Sequence, residues 1–567
     1  MPNLPVRRFT RRDLLVVGTG VVVAGCTSRS TITERPPHAE ELVGSTLPPG
    51  ASSTSSASST PAVAQPTLVG SPTYQGAEPF ALGVASGDPD ATSVVLWTRL
   101  LTSFDASGPF ADADLGVAVD VAADDGFDQL VHSSVFEAPL EFDHSVHAIV
   151  EGLDADSWYW YRFRIGDQTS PIGRTRTMPN SGSELVRFGF SSCQNWESGA
   201  YAAHRHLAEA DLDFFVWLGD YIYEYGPANG GVVASAGQRI HNSAEVDTLE
   251  GYRRRYAQYK SDAALQAHHA ARPWLVTWDD HEVDNNHAGL NSEDGQDRDA
   301  FAERRRAAHR AWWENMPVRL DPPDGDNFRI YRTSRWGDLV DLHMLDGRQY
   351  RAPQPTDGDP VVLPGVGDLG VKLLGQTALD PEHSMLGSVQ RAWLEDQLES
   401  STATWNVLGN QVYMHGLNAF PGPTPATNTD TWDGYFGERK ALLERVAGAG
   451  DRNLIILSGD FHAASAGDVR ADPFDLNGPV LATEFMAPAI SSTFPKTLRD
   501  LAPLVLAINP QIRHFSPENG FMTCEVTPSK WTTRLHLLAD VANEASTLSP
   551  AATFTVDMGA AGVSSIT

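Results

Sequence analysis

"FVWLGDYIYEYG", Phe215–Gly226, is the stretch from which the fold of this chain is read. An apolar run ends in Gly219-Asp220, and Tyr223 follows three residues on. Short apolar runs bounded by turn residues fit strands buried on both faces, as in the middle of a layered α/β sheet. A carboxylate and a phenol set at the end of such a strand are costly near a core unless something compensates them.

The same pattern recurs in "LVRFGFSSC" from Leu185, "WLVTWDD" from Trp274, "LVDLHMLD" from Leu339, "TWNVLGNQV" from Thr404 and "NLIILSGDFH" from Asn453. Between these runs lie amphipathic stretches such as "AFAERRRAAHRAWWENM", 300–316, and "SVQRAWLEDQLESS", 388–401. This β-then-α rhythm predicts an α/β domain over 184–567, with helices packed on a sheet. Residues 77–180 read differently. Their short apolar runs with closely spaced turn signals, and the alternation in "WYWYRFRIG" from Trp158, predict a small β-sandwich with no cluster of metal ligands or nucleophiles.

At 567 residues, with 41% hydrophobic side chains and 14 Trp, the chain can bury a large core. The formal net charge of −30 argues against nucleic acid as a partner, because no basic stripe exists to neutralise phosphates. The same charge opposes any anionic substrate unless bound cations reverse it locally. Residues 1–26, with paired Arg11-Arg12, an apolar run from Leu14 to Val23 and "VAGC", read as a twin-arginine lipoprotein-type signal ending at Cys26. The expectation is an exported, extracytoplasmic protein whose one contact with a membrane is a lipidated Cys26. Residues 27–76, rich in Ser, Thr, Pro and Ala, read as a flexible tether. Two cysteines remain, Cys193 and Cys524, and either a single disulfide or a ligand role for Cys193 fits them.

The strand endings concentrate the chemistry. One gives Ser191-Ser192-Cys193-Gln194-Asn195 and another Asp220 with Tyr223. A third gives Asp279-Asp280-His281-Glu282 followed by Asn285-Asn286, and the last gives Asp460-Phe461-His462. Ligands bind beyond the carboxyl ends of strands in open α/β sheets, so these endings can converge on one site. A Gly-Asp alone is a common turn, and a lone Cys is most often a small buried hydrophobe. Four such endings together predict a metal site. Cys, Tyr and His favour a transition ion, and a phenolate suits ferric iron, whereas Asp and Asn oxygens suit calcium or magnesium.

The segments "FALGVASGDPDATSVVLWTRL", "SSCQ", "GDYIYEYG", "TWDDHEVDNN", "LDGRQYR", "TWNVLGNQV" and "LSGDFHA" resemble the PhoD-type alkaline phosphatases, whose core is similar to the calcineurin-like metallophosphoesterases. The resemblance implies an Ig/fibronectin-like N-terminal β-sandwich before a four-layer αββα catalytic domain. It also implies a site of Fe3+ and Ca2+, the calcium expected to number two, that hydrolyses phosphate esters. Carried over by position, Cys193, Asp220, Tyr223 and His462 would hold iron. Asp220 would bridge to calcium, with Asp280, Asn285 and Asp460 as further ligands, and either Asp279 or Asp280 as the carboxylate of that run. His281 would face the substrate phosphate. Arg348, in "LDGRQYR", would either contact phosphate or pair with Asp346.

The mechanism this predicts is direct attack by a metal-activated oxygen nucleophile on a small-molecule or lipid phosphate ester. His281 would protonate the leaving alkoxide or stabilise the phosphoryl group. The alternatives are a phosphodiesterase or phospholipase D-like activity at the same site, a non-catalytic phosphate- or metal-binding lipoprotein, and a structural calcium staple with Cys193 in a disulfide.

Overall fold

The structure is a computed structural model that describes residues 78–104, 110–227, 239–326, 328–363, 367–420, 422–448, 453–495, 499 and 502–567. The signal-like residues 1–26 with Cys26, and the tether 27–76, lie outside the described residues. Contacts divide the chain into two units, and the larger, Leu68–Val361 with Gly370–Thr567, holds both main sheets and the candidate site.

Each apolar run singled out between Leu185 and His462 is a strand. Val186–Ser191, Phe214–Leu218 and Trp274–Thr277 pair in parallel at the centre of one sheet, ten strands wide among the described residues. Val340–Met344, Trp405–Gly409, Leu454–Ser458 and Ala482–Met486 run parallel in a second sheet of seven. Alternation sorts their side chains. Phe214, Val216 and Leu218 join Val407, Ile455 and Leu457 in a core between the two sheets. Phe215 and Trp217 face the other way, onto Tyr252, Tyr256 and Trp312 of the helices Leu249–Lys260 and Arg298–Asn315. Leu408, Leu454 and Ile456 likewise pack on Leu394, Leu398 and Leu442 of the helices Gly387–Ser400 and Phe436–Gly448. The layers are therefore helix, sheet, sheet, helix. Burial on both faces is why these strands read as unbroken apolar runs instead of alternating ones.

The N-terminal β-rich region is a sandwich that shares a sheet with its neighbour. Leu115–Ala122, Leu130–Ala138, Trp158–Ile165 and Gly173–Arg176 belong to a separate small sheet. Its inner residues Val117, Val119, Tyr161 and Phe163 pack on Val94, Leu96, Val146 and Ala148. Those last four lie on Ser93–Arg99 and Ser145–Glu151, which with Val84–Gly87 form one edge of the ten-stranded sheet. Gly87 pairs in parallel with Trp274, so the hydrogen-bonded ladder crosses the chain boundary expected near residues 180–184. The other edge is built by the C-terminal strands Gly520–Val526, Lys530–Leu538, Leu548–Asp557 and Ser565–Ile566.

Candidate metal centre

The parallel central strands of both sheets deliver their ends to one place. A bridge between Ser192 and Ala489 joins the sheets there, and the Cys193 and Gln194 N–H groups donate to the carbonyls of Gly219 and Asp220, each at 3.1 Å. A Cβ on Gly219 would meet Asp279 Cβ at 2.4 Å, and one on Gly459 would meet Ser192 Oγ at the same distance. The glycines before Asp220 and Asp460 thus mark close approaches between neighbouring strand ends.

Cys193 (φ 58°), Asp220 (φ 58°), Asp460 (φ 65°) and His462 (φ 55°) all take left-handed backbone conformations. Non-glycine residues rarely do so, and the strain collects where function dictates side-chain direction. Three overlapping groups result, each with its ligand atoms within 4.8 Å of one another. They are Cys193–Asp220–His462, Asp220–Asp280–His281 and Asp279–Asp280–Asp460. Asp220 and Asp280 are each shared by two groups. The Tyr223 hydroxyl lies inside the first, donating to Asp220 Oδ2 at 2.8 Å and standing 3.2 Å from His462 Nε2. Ser492 Oγ donates to the same phenol oxygen at 2.8 Å. Cys193 and Cys524 are both buried free thiols, so no disulfide joins them.

The remaining expected residues surround this cluster. Arg348 is fully buried and does not pair with Asp346 through its side chain. Its guanidinium bonds Asp279 and Asp430, the latter at 2.8 Å, and lies 3.6 Å from Asp280 and 3.7 Å from Asp460. Asp346 instead accepts the backbone N–H of Arg348 at 3.1 Å. The Asn285 amide nitrogen donates to Glu293 at 2.5 Å, leaving only the amide oxygen for a cation.

The electrostatics leave this cluster short of positive charge. Burial pushes the Asp220 and Asp460 carboxyls well above the usual range despite nearby His281 and Arg348, and the neighbouring carboxylates Asp279 and Asp280 add to the rise. Burial and the Asp220 charge likewise raise the Cys193 thiol and the Tyr223 phenol. Burial opposes ionisation of Asp280 too, but Arg348 and His281 hold it below the carboxylate range. Asp220 Oδ1 and Asp279 Oδ2 are buried with no hydrogen-bond donor. Orphaned anionic oxygens beside a thiol, a phenol and an imidazole fit cations, which would relieve every one of these penalties.

Two contributors were not legible in the sequence as what they are. Glu282 spans the ends of two strands, accepting the N–H groups of Asp220 (3.1 Å), Asp279 (2.8 Å) and Tyr221. Asp430 ties Arg348 to Arg351, 2.6 Å from the latter. Asp430 lies on a loop far along the chain, and no spacing links it to the other residues.

The chain matches the PhoD-like phosphatase family over residues 188–535 and the PhoD-like phosphatase N-terminal domain over residues 64–179. Alkaline phosphatase D of Bacillus subtilis (strain 168) is 38% identical over 480 residues, covering 84% of this chain and 80% of the relative. A solved structure of PhoD superposes with a TM-score of 0.81 at 36% identity, covering 87% of this chain and 92% of that one. The architecture and these matches agree, and the chain belongs to the PhoD-like phosphatase family.

Proposed function

We propose that this phosphoesterase hydrolyses phosphate esters at a mixed centre, with ferric iron held by Cys193, Asp220, Tyr223 and His462. Asp280, Asn285 and Asp460 would hold calcium, and Asp220 is shared by the donor groups around Cys193 and around Asp280. The observation that carries this reading is the convergence of three overlapping donor groups on Asp220 and Asp280. The Cys193 thiol, the Tyr223 phenol and the His462 imidazole gather at Asp220, whereas Asp279, Asp280 and Asp460 form an all-carboxylate group, which suits a transition ion at the first and a hard ion at the second.

When bound, the cations supply the positive charge that draws a phosphoryl group into an acidic protein and lower the pKa of water beside it. The protein supplies the placement. His281 lies at the edge of the cluster, 8% exposed, where it meets the phosphoryl oxygens or the leaving oxygen of the ester. Arg348, fully buried among Asp279, Asp280, Asp430 and Asp460, acts on the carboxylates and not on substrate. It offsets part of their mutual repulsion and so keeps them together.

Elemental analysis with visible absorption tests the assignment. Native protein is expected to contain iron and calcium and to show a tyrosinate-to-iron band. Tyr223→Phe and Cys193→Ser are expected to lose that band and most of the turnover while still folding. Iron-free active protein, or normal colour and turnover in both variants, would overturn it. The N-terminal 26 residues further support export with a lipid anchor at Cys26, and Cys26→Ser is then expected to move the protein from the membrane fraction to the soluble one.

A further inference from the structure

Glu224 belongs to the same "GDYIYEYG" stretch as Asp220 and Tyr223, and the chemistry above makes no use of it. Its side chain is buried, and both oxygens are committed. Oε2 accepts the Nδ1–H of His281 at 2.8 Å, and Oε1 accepts the backbone N–H of Asn285 at 2.8 Å. The imidazole is held on its other sides by rings. Tyr223 lies over it at 4.0 Å between centroids, tilted by 32°, and Tyr225 stands nearly perpendicular at 5.1 Å.

A carboxylate can only accept, so the contact keeps a proton on Nδ1 and turns Nε2 towards the ester, where the imidazolium form has a second N–H to donate. The His281 backbone has other supports. Its N–H donates to Asp280 Oδ1 at 3.0 Å, the Val283 and Asp284 N–H groups donate to the Asp280 carbonyl, and the Asn286 N–H donates to Asp280 Oδ2 at 2.7 Å. The loop is thus held at several points without Glu224. What Glu224 adds is a hydrogen bond to the ring, which sets its orientation between the two tyrosines.

We propose that Glu224 is a positioning residue for ester hydrolysis, locking His281 in one rotamer, with Nδ1–H held by the carboxylate, so that Nε2 is presented to the substrate. This rests on the reading of His281 as the group that meets the ester. Misplacing a reacting group by a fraction of an ångström is enough to lower a rate without altering what binds.

A kinetic double-mutant cycle with a readout of metal content tests the proposal. Glu224→Gln keeps size and one acceptor oxygen, and it is expected to lower kcat about 10- to 100-fold, the range seen when a partner orienting a histidine is lost. KM and metal content are expected to stay at wild-type values, while the thermal midpoint falls because one of the two N–H groups loses its acceptor. In a His281→Ala background the same substitution is expected to cost nothing further, because the residue it positions is gone. Full loss in both backgrounds, loss that tracks departing metal, or an unchanged kcat in Glu224→Gln would each overturn the proposal. Wild-type turnover in His281→Ala alone would overturn the reading of His281, and with it the proposal.

Discussion

Glu282 shows how one side chain can set a site without facing it. Its carboxylate gathers the N–H groups of Asp220, Tyr221 and Asp279, from the ends of two adjacent parallel strands. Glutamine offers a single acceptor oxygen and brings two donors of its own, so Glu282→Gln leaves at least one buried N–H unsatisfied. Such a loss costs about 1–3 kcal/mol. The expected outcome is a lower thermal midpoint together with weaker calcium retention, measured by unfolding with and without added calcium. An unchanged midpoint and unchanged retention would show that the strand ends hold themselves. At this scale the sequence was informative about which residues gather and less so about what each does. Cys193, Asp220, Tyr223 and His462 announce themselves only together, because each has a bland use alone and a thiol, a carboxylate, a phenol and an imidazole at neighbouring strand ends have few in common. Glu282 sits in the same run as Asp280, and nothing in the spacing says that one carboxylate joins the donor cluster and the other ties down backbone. Arg348 is similar, since residue type alone does not decide whether a guanidinium meets phosphate or carboxylate.

The strands and helices were legible as elements because burial on both faces leaves a continuous apolar run. Their neighbours were not. Ladder hydrogen bonds use backbone groups, which carry no side-chain signature, so neither Gly87 beside Trp274 nor the C-terminal strands beside Val186–Ser191 was visible beforehand. The join between the sandwich and the helix Arg298–Asn315 has a titratable contact. His147, on Ser145–Glu151, stacks on Trp313 at 4.1 Å between centroids, and its Nε2–H is shared by the Trp313 and Met316 carbonyls, each at 3.0 Å. Burial lowers its pKa from 6.5 to about 4, against the opposing pull of those two carbonyls. The unfolded chain therefore takes up a proton below pH 6.5 that the folded chain refuses until about pH 4. The contact's stabilisation is complete above pH 6.5 and fades as the pH falls towards 4, by about 3 kcal/mol from the size of the shift. His147→Asn is accordingly expected to destabilise strongly at pH 8 and much less at pH 4.5, by urea unfolding. An equal loss at both pH values would show that the ring does not stay neutral on folding.

Across the whole molecule acid outnumbers base, and four of its carboxylates gather where charge costs most. The formal net charge is −30, and part of it lies in the buried Asp220, Asp279 and Asp280 and the half-buried Asp460. Cations that bind this group only in the folded state stabilise the fold by mass action, by about 2.7 kcal/mol when present at a hundred times their dissociation constant. Chelation is therefore expected to lower the melting temperature by several degrees and to abolish turnover, and added calcium to restore both. A melting temperature insensitive to chelation would show that the carboxylates are neutralised by protons instead. The junction of the two sheets also has a consequence in time. Cys193 and His462 are about 270 positions apart, and the strand Val186–Ser191 gains one of its two neighbours only from Gly520–Val526, near the chain's end. At a synthesis rate of about 5–20 residues per second, the thiol waits about 15–55 s between its own emergence and that of its imidazole partner. During that interval Cys193 has none of the shelter it later enjoys, so oxidants meet it on the ribosome far more readily than in the finished protein. Pulse alkylation of nascent chains, compared with folded protein, is expected to label Cys193 in the former and spare it in the latter.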